Sequence, residues 1–280
     1  MNIKKRIRYV LIYLLLLMIT VITIFPLLWG VASSLRSDDE LFRYAIPFTS
    51  KTLVPQEITF NAYVRLFNDF NFLQPIINTL LITILTIFFS CIVNSIAAFS
   101  FAVFDFRFKR IIFAIVLISF MIPFEAIALP LYNAVNRFKW VDTYQGIIIP
   151  SIADGLVLFL FTQFFRDIPI SLIEAARVDG AGWIKIFFKV IMPSSVPVFV
   201  TAGLMTFMQQ WNSYFWPLLV ARSRHIQMIQ IALGSLRTEH SILWSCLYAG
   251  SIISAFVPLF LFLPFQKYYV QGVLGSGIKG

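Results

Sequence analysis

Four uncharged apolar stretches constrain the fold of this chain more than any other feature of its sequence. They run from Tyr9 to Leu35, from Phe70 to Phe104, from Val190 to Ala221 and from Ile242 to Gln266. Each is longer than the roughly 20 residues that an α-helix needs to cross a bilayer. Hydrophobic residues make up 59% of the 280 positions and charged residues only 12%, a composition that excludes an ordinary soluble domain.

Two further stretches, Ile111 to Asn136 and Thr143 to Phe165, are each interrupted by a single acid, Glu125 and Asp154. Backbone groups in lipid must bond within a helix or a closed barrel, and the sequence lacks the alternation of a barrel. We therefore predict an all-α integral membrane protein with six transmembrane helices, folded as a single transmembrane domain over residues 1–280. The predicted spans cover residues 9–34, 72–103, 111–135, 143–165, 194–220 and 242–265.

The basic residues predict the orientation of the chain, because lysine and arginine near helix ends stay on the cytoplasmic side. With the amino terminus in the cytoplasm, most of the 22 basic residues fall on that side. We therefore expect a multi-pass membrane protein with both termini cytoplasmic. Topology explains the net charge of +9, and nucleic acid is not expected as a partner.

The basic amino terminus followed by an apolar run also resembles a secretory signal peptide. The apolar part of a signal peptide is roughly 7–15 residues long, whereas this run extends from Tyr9 to Ser34. No Ala-x-Ala cleavage pattern closes it. A retained first helix is the expected outcome.

The residues that carry catalytic or metal chemistry are few and scattered. Cys91 and Cys246 fall inside predicted spans, and His225 and His240 share an outer loop without the spacing of a metal site. No GxxxxGK[ST] loop is present, so any nucleotide must be bound on another chain. The sequence predicts neither an enzyme nor a resident metal or cofactor.

A polar segment between the fourth and fifth spans, residues 166–193, reads as a short helix, a turn and a second helix. Pro169 suits the first turn, Ser171 and Glu174 have the spacing of a capping box, and Asp179-Gly180 supplies the turn. In the second arm, apolar and basic residues recur on different faces, and Pro193 closes it. Such a hairpin either contacts another protein or rests on lipid headgroups. In the second case, Glu174 serves only as a helix cap.

The run Glu174-Ala-Ala-Arg-Val-Asp-Gly-Ala181, followed by Phe187, Ile191 and Pro193, resembles the EAA loop of permease subunits in ATP-binding-cassette importers. Other stretches resemble the maltose-type carbohydrate permeases over essentially the whole chain. These are Trp211 to Leu218, Gln266 to Gly272, the terminal Lys279-Gly280 and Asn78-Thr79. The resemblance implies the type I importer permease fold.

The resemblance also implies a mechanism, in which the hairpin sits in a cleft of a cytosolic ATPase and transmits its closure to the membrane helices. Ala175, Ala176, Gly180 and Ala181 of the motif would allow close packing, Glu174 would contact the ATPase, and Asp179 would form the turn. The implied partners are a second homologous permease, two copies of the ATPase carrying ATP and Mg²⁺, and an extracytoplasmic solute-binding protein.

Polar residues inside the spans are candidates for the translocation path, because ionisable groups in hydrocarbon usually face a cavity or a partner. Glu125 and Asp154 line the path or a subunit contact, or serve structural hydrogen bonds. Near the end of the fifth span, aromatic rings beside amides suit a sugar, or anchor the helix at the interface. These residues are Gln210, Trp211, Asn212 and Tyr214.

A polar stripe on the second span, formed by Thr79, Thr83, Thr86, Ser90 and Asn94, is expected to serve helix packing rather than pore lining. We predict an importer for sugars or oligosaccharides, with glycerol phosphate or another polar solute as the alternative. A secondary transporter predicts an inverted repeat or paired ion ligands, and a membrane enzyme predicts a polar catalytic cluster. The sequence displays neither pattern.

Overall fold

A computed structural model describes residues 3–44, 46–47, 49–237 and 243–275. His240, the predicted first residue of the last span at position 242, and Lys279-Gly280 lie outside the described residues. All regular structure in the described part is helical, which confirms the all-α prediction. The α-helices, in chain order, are α1 (Ile3–Ser34), α2 (Asp38–Arg43), α3 (Ser50–Leu53), α4 (Asn61–Asn68), α5 (Leu73–Val103), α6 (Lys109–Ser119), α7 (Phe124–Arg137), α8 (Tyr144–Ile148), α9 (Gly155–Arg166), α10 (Ile170–Val178), α11 (Trp183–Ile186), α12 (Met192–Ser194), α13 (Val196–Trp211), α14 (Phe215–Val220), α15 (Ile229–Ser235) and α16 (Trp244–Gly275).

Three described helices are long and apolar enough to cross a membrane alone: Ile7–Ser34 within α1, Leu73–Val103, and Trp244–Lys267 within α16. Three pairs of shorter helices pass the same criterion together, each bent at a short break. Counting each bent pair as one span gives up to six spans, the number predicted from the sequence.

The chain packs into two compact units, the first made of residues 1–73 and 232–257. In this unit the apolar side chains of α1 lie exposed along its length, a surface that only lipid or another protein can cover. The end of α1 is fixed by a hydrogen bond of 2.8 Å between Ser34 Oγ and Tyr63 Oη. The backbone N–H of Ser245 donates to Asp38 Oδ1 at 2.7 Å, which holds α2 against the start of α16.

The second unit consists of residues 74–231 and 258–280 and contains the three bent pairs. Its described residues form two apolar clusters. One joins α5, α9, α13 and the hairpin between α9 and α13, through residues such as Phe161, Phe187 and Val198. The other joins α5, α7, α8 and α14, where Trp216 Nε1 donates to Gly146 O at 3.0 Å.

The predicted third span, residues 111–135, is one of the bent pairs and not one straight helix. Helix α6 ends at Ser119, and α7 begins at Phe124 with a bend of 94° between their axes. Pro123 disfavours helical backbone in the residue before it, which ends the helix locally. The Phe120 ring at the break packs directly over Gly155, where a Cβ atom would have no room, so a contact distant in sequence stabilises the bend.

The polar stripe of α5 faces the interior of the second unit. All five of its members are buried, and two make bonds to other elements. Thr79 Oγ1 accepts from the backbone N–H of Ile229 at 2.8 Å, and Asn94 Nδ2 donates to Ile152 O at 2.9 Å. These contacts agree with the predicted role in helix packing.

Candidate coupling hairpin and translocation residues

The first arm of the predicted hairpin is α10, but it does not begin as predicted. Pro169 is its N-cap residue and Ile170 its first helical residue, so Pro169 lies one position before the first turn. Ser171 is already helical and makes no capping bond, which overturns the predicted capping box with Glu174. Glu174 is therefore not needed as a cap, and its exposed carboxylate forms no ion pair with any described residue.

The turn of the hairpin forms as the Asp179-Gly180 pair predicts. Asp179 caps α10, and Gly180 adopts a left-handed backbone with φ of +77°. The N–H of Gly180 donates to Arg177 O at 3.0 Å, and that of Ala181 donates to Ala176 O at 2.9 Å. This pair of bonds is the Schellman motif, which satisfies the last carbonyl groups of a helix.

Arg177 holds the two arms together from the side. Its Nη1 donates to Ala181 O at 3.2 Å, and its guanidinium group lies 4.7 Å from the centroid of the Trp183 ring. A cation over an indole face is worth ~0.5–1 kcal/mol at an exposed site. These two contacts of Arg177 stabilise the turn, and the sequence motif alone does not reveal them.

The second arm continues from α11 through one turn of π-helix, Phe187–Ile191, into α12. There the backbone N–H of Met192 donates to Phe187 O. The arm then bends by 81° into α13 at a break next to Pro193 and Pro197. One residue, Ser195, therefore separates the second arm of the hairpin from the helix of the fifth span.

The hairpin has a buried face and an exposed face. Ile173, Ile186, Phe187 and Ile191 belong to the core cluster of the second unit, and the Phe187 ring lies 5.4 Å from that of Phe99 on α5. The exposed face carries large apolar side chains, which are Ile170, Leu172, Val178 and Ile184. An exposed apolar set of this size on a polar segment is typical of an interaction surface.

The residues predicted to contact the ATPase are divided between these two faces. Ala175, Asp179 and Gly180 are exposed, Ala176 is half-buried, and Ala181 is buried against the core cluster. Ala181 therefore packs inside the protein, because the Schellman turn directs it back toward α10. Of the six residues predicted to contact the ATPase, four lie open to another protein: Glu174, Ala175, Asp179 and Gly180.

Of the two acids within the spans, Glu125 is exposed in the first turn of α7. Phe124 beside it packs edge-on against Phe215 and Trp216, with ring centroids 6.3 and 5.7 Å apart. This contact brings the start of α7 next to the start of α14, whose N-cap residue is Tyr214. Glu125 and Tyr214 thus lie on neighbouring helix ends, and both are exposed.

Asp154 has a structural task in this conformation. It is the N-cap residue of α9, and its Oδ1 accepts from the N–H groups of Leu156 and Val157 at 2.8 and 2.9 Å. Its own N–H donates to Asn94 Oδ1 at 3.2 Å. The acid predicted near the middle of a continuous span instead begins a helix after a bend of 44°.

The four predicted residues at the end of α13 do not share one surface. Gln210 and Trp211 are buried, and the Trp211 ring is stacked on Phe207 with centroids 5.6 Å apart. Asn212 and Tyr214 are exposed. The Trp211 ring therefore offers no free face to a sugar in this conformation, because the side chain is fully buried.

A set of hydrogen bonds that no local pattern predicts fixes the segment around residues 222–229. Asn78 Nδ2 donates to His225 O and Gln227 O, and Asp142 Oδ1 accepts from the N–H of Ser223 at 2.7 Å. Burial alone would raise the pKa of Asp142, but the hydrogen bonds from Ser223 lower it below its usual value of 3.8. Asn78 was identified only through the family resemblance, since its partners are about 150 positions away.

Comparison with known proteins decides what this architecture is. The family model of the binding-protein-dependent transport system inner membrane component matches residues 94–274. The chain belongs to this family. The match covers the hairpin, all three helix breaks and α13.

Individual relatives extend the match to almost the entire chain. The permease is 32% identical to the arabinooligosaccharide transport system permease protein AraQ of Bacillus subtilis, over 95% of this chain and 94% of that one. It is 30% identical to the glucose import system permease protein GlcU of Saccharolobus solfataricus, over 96% and 95% of the two chains. The relatives are transport subunits rather than enzymes, so this multi-pass membrane protein is an importer permease.

A solved structure gives the fold directly. The crystal structure of a bacterial ABC transporter involved in the import of the acidic polysaccharide alginate matches the permease with a TM-score of 0.82. The two chains are 23% identical, and the match covers 96% of this chain and 98% of that one. The ABC importer permease fold predicted from the sequence is confirmed. Permeases of this class work with a second permease, an ATPase and a solute-binding protein.

Proposed function

We propose that this permease forms half of the translocation path of an ATP-driven importer for sugars or oligosaccharides. The hairpin, residues 166–193, is its coupling element to a cytosolic ATPase. The exposed apolar face of that hairpin carries the proposal, and the sugar substrates named for the relatives support its substrate class.

The composition of the exposed face favours a protein partner over a lipid surface. Glu174 and Asp179 lie exposed among the apolar side chains of the first arm. Acidic side chains are unfavourable next to the anionic cytoplasmic leaflet, whereas a protein cleft can offer donors to them. Glu174 is the residue of this face with the most to gain from a donor on the ATPase.

The proposed coupling depends on stiffness. The two Schellman bonds and the hydrogen bond from Arg177 to Ala181 O close the turn. The buried face of the hairpin packs against α5 and α9. Displacement of the hairpin is passed to neighbouring helices when the elements between are rigid, and is absorbed when they are loose. We propose that ATPase closure moves α13 through the bend next to Pro193.

For the path itself, we propose that Glu125, Asn212 and Tyr214 provide its exposed polar surface. Asp154, Gln210 and Trp211 form the wall behind that surface in the present conformation. Tyrosine beside an amide and a carboxylate offers both a ring face and hydrogen-bonding groups to a neutral sugar.

The proposed assembly contains a second homologous permease and two copies of the ATPase, which would hold ATP and Mg²⁺, while this chain carries no cofactor. A solute-binding protein would deliver the substrate on the outer side, and nucleic acid has no part. Both termini are proposed to be cytoplasmic, because this orientation keeps most basic residues inside.

Charge reversal at Glu174 tests the coupling role. We expect Glu174→Lys to abolish ATP-driven uptake and to weaken co-purification of the ATPase, while Glu174→Gln keeps part of both. Asp105→Lys, an exposed acid in the turn between α5 and α6, is the matched control and should transport normally. Normal uptake by Glu174→Lys at wild-type expression would refute the proposal.

The substrate class is tested on the solute-binding protein that works with this permease. We expect it to retain a neutral sugar or oligosaccharide on purification, identified by mass spectrometry of the released ligand. Recovery of glycerol phosphate or another charged solute would replace the sugar assignment and leave the coupling role untouched.

A further inference from the structure

A groove of about 390 Å³ runs between α1 and α16 in the first unit. Leu27 and Gly30 line it on α1, and Leu247, Ser251 and Ile252 line it on α16. Arg237 lies at the end where α16 begins, held there by a backbone bond from Leu243 N to Leu236 O. The groove thus combines apolar walls with one cation at its mouth.

The aromatic residues of the groove indicate its depth in a bilayer. Trp244 is the first residue of α16, and Tyr248 follows one turn later. Tryptophan and tyrosine favour the level of the lipid headgroups. From Trp244 to Ala255, the last lining residue, α16 rises roughly 16 Å, which is about half of a hydrocarbon core. The groove therefore spans one leaflet, with Arg237 at headgroup level.

Among the described residues that line this groove, Arg237 is the charged one. A second cavity of about 290 Å³ lies on the other side of Trp244 and Tyr248 and contains Arg36. The Arg36 guanidinium is buried, donates to Thr52 O and Lys51 O, and lies 3.6 Å from the Glu40 carboxylate. Arg237, in contrast, is exposed and forms no ion pair with any described residue.

We propose that this groove binds one acidic phospholipid, with its phosphate on Arg237 and an acyl chain between α1 and α16. The proposed topology assigns the site to the extracytoplasmic leaflet. Basic groups at the mouth of clefts between membrane helices are suited to lipid headgroups. The bound lipid bridges α1, whose apolar surface is otherwise exposed, to α16.

The width of the groove decides between a lipid chain and a helix of another subunit. A Cβ atom on Gly30 would lie 3.2 Å from Ile252 Cδ1, so α1 and α16 are already in close contact at the floor. A helix with side chains is about 10–12 Å across and needs a wider cleft. An extended acyl chain requires no such width.

Lipid retention by the purified transporter, with its partner subunits present, tests this site by native mass spectrometry. The probes are phosphatidylglycerol and phosphatidylcholine supplied at equal concentration. We expect preferential retention of phosphatidylglycerol, reduced about fivefold in Arg237→Gln, as loss of one arginine at a charged headgroup implies. Arg224→Gln, an exposed arginine of the second unit, is the matched control and should retain the lipid normally.

A second pair of variants tests the apolar part of the groove. Ser251→Trp should fill the groove and reduce retention of both lipids, whereas Ser251→Ala should leave retention unchanged. Equal retention of phosphatidylglycerol by wild type, Arg237→Gln and Ser251→Trp would overturn the site. So would disulfide capture of Leu247→Cys by a cysteine on another subunit. Because the assay measures bound lipid rather than uptake, its result is independent of the proposed substrate and coupling role.

Discussion

Replacing Gly180 separates backbone strain from surface contact in the coupling hairpin. Its φ of +77° is unfavourable for any residue with a Cβ atom, yet a Cβ built there meets no atom within 4 Å. Gly180→Ala therefore costs only the left-handed strain, roughly 1–2 kcal/mol. This corresponds to a ~5–30-fold loss in the population of the closed turn. Gly180→Asn costs less, because asparagine tolerates this backbone.

Hydrogen exchange of the hairpin amides measures the strain directly. The N–H groups of Gly180 and Ala181 are bonded to Arg177 O and Ala176 O, so opening of the turn exposes both donors. We expect exchange to accelerate most in Gly180→Ala, less in Gly180→Asn, and not at all in Gly182→Ala. Gly182 is the matched control, since it has equally open space but an ordinary φ of −72°.

ATP-driven uptake by the same variants then tests whether the ATPase contacts this turn. If it does, the open space at Gly180 is filled in the complex, and the larger side chain does more damage. We therefore expect the reverse order for uptake, with Gly180→Asn more impaired than Gly180→Ala. An uptake order that follows the exchange order would refute contact at Gly180, and unchanged exchange in Gly180→Ala would refute the strain argument.

Three further predictions concern stability and pH. Asp154→Ala should destabilise the permease by about 1 kcal/mol through loss of the α9 cap, with Asp154→Asn close to wild type in thermal unfolding; equal melting of the two would contradict the capping role. Because hydrogen bonds lower the pKa of Asp142 in the folded state, its stabilising contribution is present above pH 3.8 and disappears as the pH falls through the folded value. Asp142→Asn should therefore remove part of the acid sensitivity of the segment around Ser223, measured by proteolysis against pH, and an identical profile would exclude this carboxylate. Phe187→Ala should cost ~3–5 kcal/mol in thermal stability because Phe187 is buried. Ile184 of the same arm is exposed, so Ile184→Ala should keep the melting temperature and reduce ATPase co-purification; the opposite assignment would invert the two faces of the hairpin.

Features set by neighbouring residues could be predicted from the sequence, and features set by distant contacts could not. The Asp179-Gly180 turn depends on glycine's freedom at positive φ, which is local, and it formed as predicted. The helix break near Phe120 has a local cause in Pro123, but the bend of 94° also depends on Gly155 leaving room for the Phe120 ring, which no local pattern reveals. The capping box failed for a smaller reason: Pro169 takes the N-cap position and moves Ser171 into the helix.

The translocation residues illustrate the same division. Polarity within an apolar span identified Glu125, Asp154 and Trp211 as unusual, but it carries no information about which side of a bent helix each residue faces. Asp154 is unusual because it starts a helix at a bend, and Trp211 because its side chain is fully buried. Only Glu125 remains exposed beside a neighbouring helix end.

The hairpin and the membrane helices share one apolar cluster, and this shared packing allows a movement of the hairpin to be transmitted to those helices. Phe187 on the π-helical turn packs against Phe99 of α5, while Phe161 of α9 packs 4.7 Å from Phe199 of α13. A force on Glu174 or Ile184 therefore acts on side chains whose partners lie on three membrane helices. Close-packed interiors have low compressibility and transmit strain. The same force applied to an isolated surface loop would be lost in the loop itself.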